Sequence, residues 1–282
     1  MDKMYHCEIH GFNIKEAFEV LDLLSENDYS SIACAENKDS WFIEIINTSP
    51  ISIAHIKSVL WRHKFSRIVS KELENVDWLK KCFENFKPIS VGGFFVYGSH
   101  LRGADIPTNK VGIEISAATA FGSGEHPTTN RCLCAIESFY NPKRHKKILD
   151  IGCGSCILSI ACAKLGANDI SSYDNDPEAV KISNENIEIN NVAHKISVYQ
   201  NEACEFADDG KQYDLIIANI LSEPLVAMRD AIVSCIAPEG VLIISGFNSD
   251  DSSVAQAYAE LQQTYRYDYR GWTTLVMSNT VN

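Results

Sequence analysis

The sequence lacks long apolar runs and is short of positive charge. No stretch approaches the roughly 20 apolar residues that a membrane-spanning helix needs, and the opening MDKMYHCEIHGF has no apolar signal core. We therefore expect a cytoplasmic protein without a membrane partner. Lys and Arg number 25 against 37 Asp and Glu, a net charge of −12. Because nucleic-acid surfaces are normally basic, this charge argues against a direct nucleic-acid partner and suits either a basic protein partner or simple solubility.

The chain has ten cysteines, which without a secretion signal are expected to be reduced and buried. Cys153 and Cys156 form a C-x-x-C pair between a predicted strand and helix, where a thioredoxin-like redox pair would lie. The interleaved glycines and the neighbouring Asp150 argue against that interpretation. Cys132 and Cys134 have the wrong spacing to complete a zinc site with them. We expect no metal site.

The first seventy residues alternate between strand and helix patterns. The predicted elements are strand 5–11, helix 14–24, strands 31–35 and 41–47, a helix opening at Ser49-Pro50 and ending near residue 63, and strand 65–69. This β-α-β-β-α-β order predicts a small ferredoxin-like α+β domain over residues 1–71. It carries no catalytic constellation, so we expect a domain for substrate recognition. Its histidines, His6, His10, His55 and His63, are expected to be surface or packing residues.

The remainder of the chain indicates a linker and a larger α/β domain. Residues 72–88 predict a linker helix that Pro88 stops, and residues 89–282 form the second domain. In that domain strand patterns alternate with helix patterns and a hairpin pattern closes the chain, which predicts a doubly wound, mainly parallel sheet.

A glycine-rich turn stands at the centre of this domain. Residues 146–167, KKILDIGCGSCILSIACAKLGA, predict a strand, a glycine turn and a helix. The dinucleotide fingerprint requires a glycine where Ile157 stands, so that interpretation fails. The shorter Asp-x-Gly-x-Gly form is typical of S-adenosylmethionine (SAM) methyltransferases. Cys156 replaces the third glycine usual in such loops, which argues against a positive φ there.

Polar residues end three of the predicted strands. Asp150 with the Gly152 and Gly154 backbone ends the first, Asp174 ends the second, and Asn219 ends a later one. In an open sheet of this kind the ligand lies beyond the carboxyl ends of the strands. Asp174, 22 residues after Gly152, is placed to accept hydrogen bonds from two ribose hydroxyls. The neighbouring Asp176 precedes Pro177 and makes the better helix cap.

Four segments, in order, carry a family resemblance. They are AFGSGEHPTT, LDIGCGSCILSIACAKLGA, YDNDPEAV and IIANILSEPL, and together they resemble the PrmA family, which methylates protein eleven of the large ribosomal subunit. The resemblance implies a seven-stranded, Rossmann-like class I SAM-methyltransferase domain. It also implies that SAM is held at Thr129, Gly152, Asp174 and Asn219, under a loop at residues 121–124. Cys156, Ser123 and Glu125 depart from the family pattern.

The implied cofactor site also includes Asp150, Gly154, Phe121 and Gly122. The implied function is SAM-dependent N-methylation of lysine and/or N-terminal amines of a basic large-subunit ribosomal protein. Asn219 is the candidate for positioning the amine, and no general base is assigned. Lysine methylation of another protein, such as an electron-transfer flavoprotein subunit, a non-catalytic SAM-binding module and a redox protein remain as alternatives. The oligomeric state is left open.

Overall fold

The protein is described by a computed structural model that covers residues 4–25, 27, 29–37, 40–73, 87–103, 105–116, 126–200, 204–207 and 210–279. It divides into two compact units, Met1–Cys82 and Phe83–Asn282. The predicted linker helix falls almost wholly outside the described residues. Within the described ranges, none of the helices is both long and apolar enough to span a membrane.

The first unit has the β-α-β-β-α-β order that the sequence indicates. Its elements are β1 (Met4–Phe12), α1 (Ile14–Ser25), β2 (Ser31–Asn37), β3 (Ser40–Asn47), α2 (Ile53–Val59) and β4 (Arg67–Leu73). The strands form an antiparallel sheet in the order β2-β3-β1-β4. Because side chains alternate along a strand, Cys7 and Ile9 of β1 lie on one face with Ile43 and Ile45 of β3, all fully buried. The apolar side of α1, including Phe18 and Leu21, is buried as well.

Two predicted boundaries in this unit are wrong. Helix α2 begins at Ile53 rather than after Ser49, because the hydroxyl of Ser52 accepts a hydrogen bond from the backbone N–H of His55 (3.2 Å) and caps the helix there. Strand β4 begins two residues later than predicted and runs through Leu73. The predicted border at residue 71 therefore falls inside a strand that pairs with β1.

The second unit alternates strands and helices. Its strands are β5 (Ile89–Val91), β6 (Phe94–Gly98), β7 (Val111–Ile115), β8 (Lys147–Ile151), β9 (Asp169–Asp174), β10 (Ile196–Gln200), β11 (Tyr213–Asn219), β12 (Ile236–Asn248), β13 (Gln262–Tyr269) and β14 (Trp272–Ser278). Its α-helices are α3 (Pro127–Phe139), α4 (Ile157–Lys164), α5 (Pro177–Ile189), α6 (Ser222–Ala227), α7 (Arg229–Ser234) and α8 (Ser253–Ala257). Two short helices, α6 and α7, lie between β11 and β12.

Seven strands form the main sheet, in the order β10-β9-β8-β11-β12-β14-β13. The first five strands in this order, β10, β9, β8, β11 and β12, are parallel. The β13–β14 hairpin forms the antiparallel edge of the sheet. One hydrophobic core lies on each face of the sheet, which confirms the predicted α/β fold with a mainly parallel sheet. The chain order reverses between β8 and β11, and this switch point is where open α/β sheets bind ligands.

Two buried asparagines, Asn186 within α5 and Asn190 at its C-cap, join this helix to the smaller sheet β5-β6-β7. Asn190 accepts from the backbone N–H of Glu114 (3.0 Å) and donates to its carbonyl (2.6 Å). Asn186 accepts from the N–H of Ser116 (2.8 Å) and donates to the carbonyl of Ser155 in the glycine loop (2.8 Å). Both amides satisfy backbone groups that the ladder of β7 leaves unpaired.

Asn190→Ala should therefore lower the free energy of unfolding by about 2–4 kcal/mol, because it leaves two buried backbone groups of Glu114 without partners. Urea unfolding followed by circular dichroism measures the change. Asn184→Ala is the matched control, since Asn184 is exposed on the same helix and, among the described residues, its side chain bonds only the carbonyl of Val180 in that helix. Equal losses for the two variants would contradict the assignment.

Candidate active site

The carboxyl ends of β8 and β11 place two of the predicted site residues side by side. The two strands pair in parallel, with Asp150 opposite Ile217, so Asp150 and Asn219 end neighbouring strands. Strand β9 runs on the other side of β8 and ends at Asp174. Asp150, Asp174 and Asn219 thus lie along one edge of the sheet, as expected.

The loop after β8 is held in a tight curve by the backbone of β9. The carbonyl of Tyr173 accepts from the N–H groups of Gly152 (2.8 Å) and Cys153 (3.0 Å). Gly152 and Gly154 both have positive φ, +68° and +53°, where a residue without Cβ is favoured. A Cβ at Gly152 would lie 2.2 Å from a methyl group of Ile220, whereas one at Gly154 would meet open space. The loop therefore needs Gly152 for packing, and Gly154 leaves room for a ligand.

Cys156 adopts the positive φ that its identity argued against. Its φ is 64°, and it forms the N-cap of α4, so the expectation drawn from the missing glycine was wrong. Such a conformation costs a residue with a Cβ about 1–2 kcal/mol. The side chain is fully buried, with its Sγ 3.7 Å from the hydroxyl of Ser172. The buried contact stabilises a backbone that the residue type alone disfavours.

The C-x-x-C pair has the surroundings of structural thiols. Cys153 and Cys156 are both free and buried. A hydrogen bond with Cys156, together with burial, raises the pKa of the Cys153 thiol well above its ordinary value. Reactive cysteines have lowered pKa values and partial exposure, so these thiols do not have the properties of a redox pair.

The carboxylate of Asp174 fixes the loop as well as facing the site. One of its oxygens accepts from the N–H of Gly154 (2.8 Å), and the other accepts from the N–H of Asp176 (3.1 Å). An ionised carboxylate has about four acceptor positions, so acceptor capacity remains. Asp176 caps α5 by accepting from the N–H of Glu178 (2.8 Å), which confirms the predicted helix cap.

Asp150 is buried, with a bond to only one of its oxygens. Ser159 donates to Oδ2 (2.6 Å), and no group in the described part of the chain bonds Oδ1. The pKa of Asp150 is raised to about 6: burial is the main cause, the hydrogen bonds with Ser159 lower it, and the nearby charge of Asp174 adds a smaller increase. A second donor or a cation near Oδ1 would favour the ionised form.

Asn219 contacts Thr129, the predicted site residue from helix α3. Its amide nitrogen donates to the Thr129 hydroxyl (3.3 Å), and its buried Oδ1 has no hydrogen-bond partner among the described residues. Thr129 itself is 1% exposed. The contact orients the amide so that the oxygen, a neutral acceptor, is left for a ligand.

Sequence reasoning missed His126, which directly precedes Pro127. Its Nδ1 accepts from the N–H of Thr128 (3.3 Å) and caps helix α3, and its ring packs edge-on against Trp272 (centroids 4.9 Å). Burial lowers its pKa to about 3, so the ring is neutral. A polar residue directly before a proline is a signal for the start of a helix. This signal would identify His126 as the N-cap.

A cavity of about 270 Å³ opens beside these residues. Its lining includes Gly152, Tyr173, Asp174, Phe206, Ile220 and Met228. A larger cavity of about 390 Å³ lies at the amino ends of the strands, beside Asn141 and Glu239. Of these two cavities, the smaller one is the candidate site. It adjoins the glycine loop, and its aromatic and apolar side chains could pack against a planar ligand ring.

These residues fit SAM on three grounds. Gly154 faces open space, Asp150 and Asn219 present buried oxygens without partners in the described ranges, and the adjoining cavity has aromatic walls. SAM offers hydroxyl and amino donors and a positive sulfonium, which such oxygens favour. Phe121 and Gly122, also predicted for the site, lie outside the described residues.

The fold and the glycine loop define the class: an α/β methyltransferase fold of the class I SAM-dependent type. The family model described as "Ribosomal protein L11 methyltransferase (PrmA)" matches residues 13–280, and the chain belongs to this PrmA family, as the sequence motifs predicted.

Relatives named "Ribosomal protein L11 methyltransferase" are similar over most of their length. The one from Caulobacter sp. (strain K31) is 32% identical over 252 residues, 88% of this chain and 87% of the relative. The one from Rhizobium rhizogenes is 34% identical over 277 residues, 93% of this chain and 94% of the relative. A solved structure of a ribosomal protein L11 methylase from Lactobacillus delbrueckii subsp. bulgaricus is 26% identical, with a TM-score of 0.63 over 70% of this chain and all of that one.

Asp150→Asn should stabilise the protein at pH 7.5, by about 1–2 kcal/mol. Its pKa in the folded state, about 6, lies above the unfolded value of about 3.9. The folded state therefore binds the extra proton, and stability is lost as pH rises from about 4 through 6. Each pKa unit corresponds to about 1.4 kcal/mol of folding free energy, so removing the charge should stabilise the protein by about 3 kcal/mol. The new amide N–H of the Asp150→Asn variant is buried without a partner, and this costs about 1 kcal/mol of that gain.

Urea unfolding at pH 7.5 and pH 5 tests this, and the gain should shrink at the lower pH. Asp169→Asn is the control for loss of charge, because Asp169 is exposed at the start of β9. A variant less stable than the wild type at pH 7.5 would show that ionised Asp150 is compensated in the folded protein.

Proposed function

We propose that this chain is a SAM-dependent protein N-methyltransferase that transfers methyl groups to lysine and/or N-terminal amines of ribosomal protein L11. The observation that carries the proposal is the set of polar groups at the switch point. Gly154 and Asp174 are hydrogen-bonded there, and Asn219 ends β11 at the same edge of the sheet, on a chain that belongs to the PrmA family. The names of the relatives support L11 as the substrate.

The cofactor is assigned to the glycine loop and the strand ends beside it. Asp174, already bonded to Gly154, would bind the ribose hydroxyls with its remaining acceptor positions. Tyr173, Phe206 and Met228 would pack against the adenine. Thr129 holds Asn219, and Asp150, whose Oδ1 has no partner among the described residues, would favour the cationic part. The family resemblance implies that Phe121 and Gly122 belong to a loop that closes on the cofactor.

The methyl transfer requires a neutral amine held in line with the donor. Bound SAM supplies a methyl group activated by its sulfonium. A lysine amine has a reference pKa of about 10.4, and an α-amine about 7.7–8.0. Desolvation disfavours the charged amine, and Asn219 Oδ1, a neutral acceptor, would orient the amine N–H while favouring its protonated form less than a carboxylate would. No residue is assigned as a base, and the proton leaves to water before the site closes.

The first unit is assigned to substrate recognition. Its β-α-β-β-α-β order and its strand order β2-β3-β1-β4 are those of a ferredoxin-like domain. The residues assigned to the cofactor all belong to the second unit. The proposed division is residues 1–71 for recognition, 72–88 as a linker and 89–282 for catalysis, with the first border to be moved past Leu73, where β4 ends.

Asp174→Asn should weaken SAM binding by about tenfold or more, because one charge-assisted hydrogen bond contributes about 1.5–3 kcal/mol. Asparagine keeps one oxygen for the N–H of Gly154, so the loop is disturbed less than by alanine. Calorimetric titration with SAM gives the affinity. Asp176→Asn, the same charge change two residues away, retains a good helix cap and should bind SAM normally.

The same proteins are then tested for transfer of labelled methyl groups from SAM to purified L11, with mass spectrometry to locate the methylated amines. Unchanged affinity in folded Asp174→Asn removes Asp174 from the site. If the wild type binds SAM normally but does not methylate L11, the cofactor assignment stands and the substrate assignment is wrong.

A chain that begins at Glu72 should bind SAM with unchanged affinity but methylate L11 at least tenfold more slowly. The reason is that the proposed recognition contacts lie in the first unit. Circular dichroism and SAM titration establish that the shortened protein is folded before rates are compared. Methylation at the rate of the full chain would mean that the first unit does not select the substrate.

A further inference from the structure

One face of the first unit's sheet carries a cluster of histidines and carboxylates. His6, Glu8 and His10 alternate along β1, opposite the face on which Cys7 and Ile9 are buried. Glu44 of β3 is the direct cross-strand partner of Glu8. We call these four residues the histidine–glutamate cluster. Sequence reasoning assigned the two histidines to packing or the surface, because the contribution from β3 is distant in sequence.

Three side chains of the cluster have potential ligand atoms close enough together to reach one metal ion. His6 Nε2 lies 2.7 Å from Glu44 Oε1 and 3.7 Å from Glu8 Oε1. One ligand atom from each of these three residues lies within 4.8 Å of the other two. Two ligands of a tetrahedral zinc ion, each at about 2.0–2.2 Å, stand about 3.3–3.5 Å apart. Shifts of less than about 1 Å would bring the three atoms around one ion.

The charges in the cluster favour a cation. Two carboxylates directly opposite each other destabilise an antiparallel pair of strands. Lys71 and Arg67 of β4 are the cross-strand partners of His6 and His10. Yet among the described residues neither Glu8 nor Glu44 forms a salt bridge with a lysine or arginine. A divalent ion would neutralise both charges at once.

His10, the fourth member of the cluster, is placed to hydrogen-bond a metal-binding residue rather than to bind the metal itself. His10 Nε2 lies 2.8 Å from Glu8 Oε2, the oxygen that does not face His6, and its ring stacks on Phe42 (centroids 5.1 Å). Metal-bound carboxylates and histidines are commonly oriented by such second hydrogen bonds. His6 is 2% exposed and stands on a paired strand, so the ligand set is positioned by rigid elements.

We propose that the histidine–glutamate cluster binds one divalent transition-metal ion. His6, Glu8 and Glu44 are the protein ligands, His10 orients Glu8, and water completes the coordination. One imidazole and two carboxylates suit Zn²⁺ or Mn²⁺, and Zn²⁺ binds such sites more tightly. The ion joins β1 to β3 and stabilises the first unit. This site is independent of methyl transfer.

Zinc titration of the full chain tests the site, after metal is removed with a chelator and against a chromogenic indicator. The wild type should bind one equivalent, and Zn²⁺ should raise its melting temperature. Glu44→Gln and His6→Asn, which keep side-chain volume and hydrogen bonding, should bind at least tenfold more weakly. His63→Asn, in the same unit and outside the cluster, should bind as the wild type does.

The chain has ten cysteines, and zinc can also bind to thiolates. Co²⁺ is therefore used in place of Zn²⁺, because its visible spectrum distinguishes sulfur ligands from nitrogen and oxygen ligands. Visible d–d bands without a thiolate charge-transfer band identify nitrogen and oxygen ligands. Glu44 is partly exposed (side chain 27%), so Glu44→Gln serves as the folded variant if His6→Asn does not fold. No zinc binding by the wild type, equal binding by all variants, or a thiolate band would each overturn the proposal.

Discussion

The glycine loop depends on three hydrogen bonds that its backbone N–H groups donate to strand β9. The carbonyl of Tyr173 accepts two N–H groups, and the carboxylate of Asp174 accepts a third, that of Gly154. These hydrogen bonds stabilise a segment of five residues in which three, Gly152, Gly154 and Cys156, have positive φ. The same bonds aim the start of α4 at the candidate site and bring Asp174 beside the loop. The shape of the loop and the position of Asp174 are therefore fixed by hydrogen bonds within the protein itself.

Much of the fold could be predicted because the local signals agreed with the tertiary structure. Short strand patterns ending in polar residues predicted β8, β9 and β11, and Asp176-Pro177 predicted the start of α5. Strand ends in a parallel sheet share one edge, so the grouping of Asp150, Asp174 and Asn219 followed from connectivity alone. The PrmA motifs added the family, which residue patterns by themselves did not reach.

The failures have physical causes that a local pattern does not contain. Cys156 takes a glycine-like φ because burial against Ser172 offsets the strain, and that burial exists only in the folded protein. Ser52 caps α2 in place of Ser49, since which hydroxyl meets a free N–H depends on the path of the preceding loop. The cross-strand pairing of Glu8 with Glu44 joins residues 36 positions apart, so it requires the sheet register.

Asn186 has a consequence for how the chain can vary. One side chain bonds Ser155 in the glycine loop and Ser116 at the end of β7, immediately before residue 117. The chain therefore leaves β7 at a residue that one buried amide ties to the glycine loop. An apolar residue at position 186 would remove both hydrogen bonds at once, so the end of β7 and the glycine loop would lose this connection together.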